Sequence, residues 1–311
     1  MTVNHTHQVY DNFYLENMIE DQFNSHLDLS QFCTPDYTLK DKAGTKKKVN
    51  VYSATNGTED LKMGEGNTKN IETRLKSKEY TVLLSQNRFP YYDEEYMTDP
   101  IAIKTGLRHM GVDMYNHTND KVFKEFQKAT MIVPAAEFNF DAFVDAQSLI
   151  ANENDTVETF AFIAPQDKAA VRKALKDSLQ YVEAYARTGY VGSVGGTQLY
   201  VKRDAVPGEV IVATRQAVTF FVKKGTEIEQ ERDANVRLTE VYSRKYYMPA
   251  LTHEECAVKI LKGGSFKPTS DSTVTSDKKY YTVYGAGYIE KTPTTENPNT
   301  EKLYEYVPAK K

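Results

Sequence analysis

Tryptophan is absent from this chain, and cysteine occurs only at Cys33 and Cys256 among 311 residues. The two lie far apart, in no CxxC pair and no metal-ligand spacing, which excludes a disulfide-stapled scaffold and reads as two reduced thiols of a cytosolic protein. No run approaches the roughly 18 apolar residues of a membrane span, and the first residues lack the basic-then-apolar plan of a signal peptide, so neither a membrane partner nor export is expected. Basic excess is missing too. Lys and Arg number 39 against 43 Asp and Glu, a net charge of −4 with a pI near 5.9, which argues against a dedicated nucleic-acid binder.

Catalytic patterns are equally scarce. His5, His7, His26, His109, His117 and His253 form no H-x-x-x-H, and no G-x-S-x-G frames a nucleophile. His5 and His7 make a pair, but a metal site needs further ligands and a rigid frame. Gly189, Gly192, Gly195 and Gly196 follow a helical segment without GK[ST], so they read as a glycine-rich turn instead of a phosphate cradle. Asp93-Glu94-Glu95 is the one tight carboxylate cluster, and its place before a helix explains it through the helix dipole. The chain is therefore not read as an enzyme, and no catalytic, cofactor or metal residue is expected.

What is present is apolar and aromatic: 40% apolar residues, with 22 Tyr and 14 Phe, can build a sizeable core for each of about two domains. Mean hydropathy of −0.59 and 26% charged residues leave a polar surface, and tyrosine serves interfaces as readily as cores. The organising element is a long helix over Asp93–Asn116. Pro100 suits a first helical position and Asp99 its cap. Ile103, Leu107, Met110 and Met114 make one apolar stripe, with Lys104, Arg108 and Asp113 on other faces. The polar run Asn116-His117-Thr118-Asn119-Asp120 is expected to end this helix before a second helical period through Val122, Phe123 and Phe126.

Ahead of that helix, Met1–Leu39 carries a helical period through Val9, Phe13, Met18, Ile19 and Phe23. It is too short for its own core and is expected to be an arm that packs on the rest of the fold or on a neighbour. From Lys46 the period becomes two, through Val49 and Val51, and Thr55-Asn56-Gly57-Thr58 and Gly64-Glu65-Gly66-Asn67 mark a loop tip. The return strand Asn70–Asn87 changes its inward face near Lys78-Glu79, where a bulge or a change of environment belongs. Unbroken, it would span about 60 Å, whereas a compact chain of this size is only about 50 Å across. The hairpin must project or bend, and its bare edges call for a partner chain. The subunit-contact candidates are Asn56, Gly57, Leu61, Met63, Gly64, Gly66 and Asn67. Lys46-Lys47-Lys48 is read as a solvated hairpin base.

Downstream the pattern is α/β: helix Phe140–Ile150, strand Thr159–Ala164, helix Asp167–Lys176, strands Gln198–Arg203, Val210–Ala213 and Ala217–Lys223, a sheet segment across Asp233-Ala234-Asn235, and Ala257–Leu261. Gly263–Lys311 then shifts to Gly, Ser, Thr and Pro around Tyr280, Tyr281, Tyr284, Tyr288, Tyr304 and Tyr306. It reads as an appendage, a small hairpin or a poorly ordered tail, dispensable for the core.

This order of parts resembles the major capsid proteins of tailed bacteriophages, whose fold encapsulins share. Phe32–Thr130 carries the resemblance best, in Asp41-Lys42-Ala43-Gly44 through Lys48-Val49-Asn50-Val51-Tyr52, in Gly64-Glu65-Gly66-Asn67, and in Phe89-Pro90-Tyr91-Tyr92-Asp93-Glu94-Glu95 leading to Thr98-Asp99-Pro100. Phe162-Ile163-Ala164-Pro165 and Val191–Arg203 match more loosely. The resemblance implies an α+β phage-capsid-like fold: N-terminal arm (1–40), projecting β-hairpin loop (41–87), peripheral β-sheet domain with a long spine helix (88–134 and 223–248), axial α/β domain (135–222 and 249–262) and C-terminal appendage (263–311). It implies a shell of hexamers and pentamers enclosing double-stranded DNA, which a mildly acidic wall contacts only weakly and non-specifically. Further partners by the same analogy are a portal protein and a separate scaffolding protein, the segment before the hairpin being too short for a fused one. Assembly would take place in the host bacterial cytoplasm. Lys62, Lys69 and Asn235 are of the types some members cross-link. An encapsulin-like nanocompartment shell is the alternative.

Overall fold

The computed structural model describes residues 29–40, 44–54, 57–150, 157–174, 192–268, 279–291 and 303–308. His5, His7, His26, Asn56, Gly189 and the helical expectation for the first 28 residues lie outside them. The described chain begins with a 3-10 turn at Ser30–Phe32, followed by β1 (Thr34–Asp36), β2 (Lys46–Ala54), β3 (Thr73–Thr81), β4 (Leu83–Tyr92), α1 (Asp93–Thr98) and α2 (Pro100–Phe126). β5 (Met131–Ala135), α3 (Phe140–Ile150), β6 (Thr159–Ile163), α4 (Pro165–Ala174), β7 (Ser193–Val194), β8 (Thr197–Val201) and β9 (Glu209–Thr214) follow. The last part is strand apart from a 3-10 turn at Glu254–Cys256: β10 (Val218–Asp233), β11 (Leu238–Leu251), β12 (Ala257–Lys262), β13 (Ser265–Pro268), β14 (Tyr280–Tyr284), β15 (Gly287–Lys291) and β16 (Tyr304–Val307).

The main sheet is ordered β13-β16-β14-β15-β5-β12-β9-β6-β8-β7. Its central strands lack a polar face because both faces are covered. In β6, Phe160 and Phe162 join Phe32, Phe123 and Phe126 on one side. Ala161 and Ile163 join Phe143 and Leu149 of α3 and Val171 of α4 on the other. Gly195 and Gly196 both have positive φ, 55° and 85°, the two-residue turn that closes β7 onto β8. The glycine cluster is thus a turn where it is described.

A second sheet, β1-β10-β11-β4, is built on the long β10–β11 hairpin, with β1 parallel to the β10 edge at Thr34↔Thr219. Helix α2 joins the two sheets. Its first half lies on β4, where Gly106 meets the Phe89 ring so closely that a Cβ would stand 2.3 Å from it. Its second half puts Val122, Phe123 and Phe126 into the main core.

Three expectations change. First, α2 does not end at Asn116. It runs unbroken for 27 residues, about 40 Å, while Asp93–Thr98 forms a separate short helix. The polar run is satisfied in two ways: Thr118 Oγ1 donates back to the Met114 carbonyl one turn earlier at 2.8 Å, and buried Asn119 Oδ1 accepts the N–H of Leu29, ninety residues away, at 3.3 Å. Packing here overrides propensity. Second, Asn70–Asn87 is not one strand. The chain leaves β3 at Thr81, Val82 N–H donates to the Thr45 carbonyl at 2.7 Å, and from Leu83 it pairs with β11. The β2–β3 ladder runs through Lys78 and Glu79 with no bulge; what changes there is the environment, Tyr80 reaching the body, and the transfer between sheets follows at Leu83. Third, the region after Gly263 does not stand apart: β14–β15 is a hairpin, but β15 pairs with β5 at Tyr288↔Ile132 and Ile289↔Met131. Tyr280, Tyr281 and Leu303 are buried.

Candidate assembly surface

Beyond β2 and β3 the chain makes a loop held by its own polar groups. Gly57 is buried against Ile71, whose Cγ1 would lie 2.7 Å from any Cβ placed there. The Glu59 carboxylate accepts the Thr68 N–H at 2.9 Å and its hydroxyl at 2.8 Å, bonds that hold its carboxyl below the usual range. Lys62 N–H donates to Glu65 Oε2 at 3.2 Å, Glu65 N–H returns to the Lys62 carbonyl at 3.0 Å, and Asn67 Nδ2 donates to the Lys69 carbonyl at 2.7 Å. Gly64 sits at φ +90°, while Gly66 has open space around it. Leu61, Met63 and Ile71 point outward, Met63 fully exposed. Six of the seven tip residues singled out in the sequence thus share one compact loop, and Asn56 lies outside the described residues.

At the other end the hairpin is tied to the body. Val49 and Tyr80 pack with Leu39 on Phe221, Met248 and Ala250, and Tyr80 Oη donates to the Leu251 carbonyl at 2.9 Å. Lys47 Nζ meets Asp36 at 3.0 Å and lies 4.0 Å above the Phe221 ring, and Lys78 pairs with Glu254. Burial alone would raise the Asp36 carboxyl. The Thr38 hydrogen bonds and the Lys47 ammonium outweigh it and hold the carboxyl below its ordinary value. The expected solvated base therefore fits Lys46, exposed beside Glu79, but not Lys47. Tyr80, Lys47 and Lys78 were missed. The one signal for them was Tyr80 opening the even-numbered apolar face.

The remaining candidates have structural partners. Asp93 meets Arg232 at 2.6 Å, Glu94 meets Arg237 at 2.7 Å, and Glu95 Oε2 accepts the Tyr92 N–H at 2.9 Å. Buried Lys202 lies 2.8 Å from Asp204 and 3.0 Å from Asp120. Desolvation opposes its charge, yet these two carboxylates push its pKa up, fastening the end of β8 to α2. Lys62 and Lys69 lie in the tip loop, and Asn235 in the β10–β11 turn, its N–H on Asp233 Oδ1 at 2.9 Å. Cys33 is buried, and burial pushes the Cys256 thiol up, away from a reactive thiolate. Among the described residues no cluster of three or more His, Cys, Asp or Glu is placed to hold a metal ion.

The arrangement, two sheets bridged by one long helix with a tethered hairpin carrying a self-held loop, is the α+β fold of the capsid proteins of tailed bacteriophages. It matches the capsid of a native GTA particle at TM-score 0.61 and 12% identity, over 78% of this chain and 94% of that one. It matches the capsid of cyanophage P-SCSP1u at 0.57 and 13%, over 84% and 96%, and a chain of Gordonia phage Cozz at 0.59 and 10%, over 83% and 91%. By sequence the chain is similar to the major capsid protein of Staphylococcus phage phiMR11, 24% identical over 253 residues, which span 79% of this chain and 91% of that protein. No family model matches.

Proposed function

We propose that the chain is the major capsid protein of a tailed bacteriophage and assembles with copies of itself, as hexamers and pentamers, into an icosahedral shell around double-stranded DNA. The observation that carries this reading is the near-complete span of the phage capsid relatives, 91% of the phiMR11 protein by sequence and 96% of the cyanophage capsid by fold. The role is structural, and no chemistry is assigned to the chain. Residues 88–134 and 223–248 serve as the peripheral domain around α2, and 135–222 with 249–262 as the axial domain. The tip loop, through Leu61, Met63 and the backbone shaped by Gly57, Gly64, Gly66 and Asn67, touches a neighbouring subunit. A separate scaffolding protein and a portal complete the assembly in the host cytoplasm.

Co-expression with the neighbouring phage genes, read by light scattering after size exclusion and by negative-stain microscopy, is expected to give closed shells or flat capsomer sheets. A strict monomer at every concentration and salt sinks the reading. The nanocompartment alternative predicts shells without a terminase or portal gene nearby.

A further inference from the structure

Where β10 loses its regular ladder between Val222 and Glu227, the edge of the second sheet opens into a groove of about 720 Å³, a size usual for small-molecule sites. Its floor is apolar. Leu84 and Tyr246 stand opposite each other in the β4–β11 ladder, and Val82 and Val222 line the groove with them. Leu84 is 53% exposed, an apolar side chain left open to water. Lys40, Lys223 and Lys224 form the rim, and no carboxylate is in the lining. Lys224 meets Glu227 at 2.6 Å. Lys223 Nζ donates to the Gly44 carbonyl, which carries no charge, and no carboxylate of a described residue pairs with it or with Lys40. The groove is thus an apolar floor under uncompensated positive charge.

A ligand that matches both needs one anionic head and one hydrocarbon body. We propose that the groove binds a free single-chain fatty carboxylate, its tail on Val82, Leu84, Val222 and Tyr246 and its head among the three ammonium groups. A neutral amphiphile of the same length leaves those charges unmatched, and a cationic one is repelled by them. The site also lies at a joint of the fold. Thr45 and Val82, both in the lining, are where the chain enters and leaves the β2–β3 hairpin, and the Val82 N–H donates to the Thr45 carbonyl at 2.7 Å. A bound tail therefore rests against the hairpin root and braces it.

The inference does not depend on the shell reading. Dodecanoate, titrated by calorimetry into the full-length protein below its micelle-forming concentration, is expected to bind once per chain. Affinity should rise about two- to fourfold with each methylene added from octanoate onward, according to how fully the floor takes it in. Dodecanol and dodecylammonium should bind about tenfold more weakly or worse. Leu84→Glu should weaken dodecanoate about tenfold by placing a carboxylate on the floor, and bound dodecanoate should slow amide exchange in the peptides holding residues 82–84 and 222–225. Should Leu84→Glu disturb folding, Lys40→Glu with Lys224→Glu, both exposed on the rim, is expected to give a similar loss with an unchanged melt. Absence of saturable binding, as when polypeptide already fills the groove, overturns the inference, and so does an affinity indifferent to tail length, to head-group charge or to these substitutions. Binding only to phosphatidylglycerol vesicles, and not to monomeric dodecanoate, assigns the surface to a membrane and overturns it equally. Each of these results leaves the shell reading standing.

Discussion

The centre of the main sheet and the β2–β3 hairpin are made of the same material, extended chain, and are stabilised in opposite ways. Strands β5, β12, β9 and β6 are paired on both edges and covered on both faces, so most of the apolar side chains they carry are removed from water within one copy. The hairpin pairs only with itself and touches the body through its base. Its loop is satisfied by its own hydrogen bonds yet shows Leu61, Met63 and Ile71 to solvent. A two-stranded ribbon is marginal alone. The sheet centre is covered by the chain that contains it, whereas the apolar side chains of the hairpin loop have no cover among the described residues of one copy.

Substitutions should sort along that contrast. Phe162→Ala, in the ring cluster with Phe123 and Phe126, is expected to cost about 3–5 kcal/mol in denaturant unfolding, the largest effect. Ending the chain after Lys262 strips β15 from β5 and uncovers Ile132 and Leu149, and we expect a loss of about 3 kcal/mol. A truncated chain that melts unchanged would return these strands to the status of an appendage. The same strands carry an alkaline signature: burial, with Glu290 and Tyr306 nearby, pushes Tyr281 up to about 12 from 10.0. A raised folded pKa means this contribution is whole below pH 10 and lost as pH climbs through about 12. Tyrosinate absorbance should show the late phenol in the intact chain and lose it in Tyr281→Phe.

Smaller effects belong to the hairpin. Tyr80→Phe removes the bond to the Leu251 carbonyl, about 1 kcal/mol, and should loosen the hairpin base first, visible as faster amide exchange in β2 and β3. Replacing residues 55–72 by Asn-Gly keeps the Ala54↔Thr73 pair and should shift the melt by less than about 0.5 kcal/mol while abolishing shell formation. Losing even about 2 kcal/mol per interface lowers each association constant about thirtyfold. Shells at normal yield from this variant would remove the tip loop from the assembly surface.

Elements whose signal is local were legible in the sequence. The Pro100 start is capped as its residues require, Asp99 Oδ1 accepting the N–H groups of Ile101 and Ala102 at 3.0 Å, and α3 occupies the residues its period marks, Phe140–Ile150. The failures were non-local. Nothing within five residues of Asn119 announces that Leu29, ninety positions earlier, will need its side chain. The parity change after Lys78 was visible, but a bulge and a change of environment fit it equally, and nothing local announces that Tyr80 will reach the Leu251 carbonyl. The tyrosine-rich region looked like an appendage because its strands are short and separated by polar runs. Their value lies in an open edge at β5 that a linear reading does not contain. The tip loop was marked by its glycines, whereas the lysines anchoring the base were indistinguishable from surface charge.

The place of β5 in the sheet also sets a schedule. Met131 pairs on one side with Val258 and on the other with Ile289, so roughly 130 residues leave the ribosome between β5 and its first neighbour. At about 5–20 residues per second that is about 6–25 s during which an apolar strand waits with both edges bare. A copy cannot finish its own sheet until nearly all of it has been translated, so newly made chains need to be kept apart for that interval, and synthesis itself meters the supply of subunits able to join a growing particle.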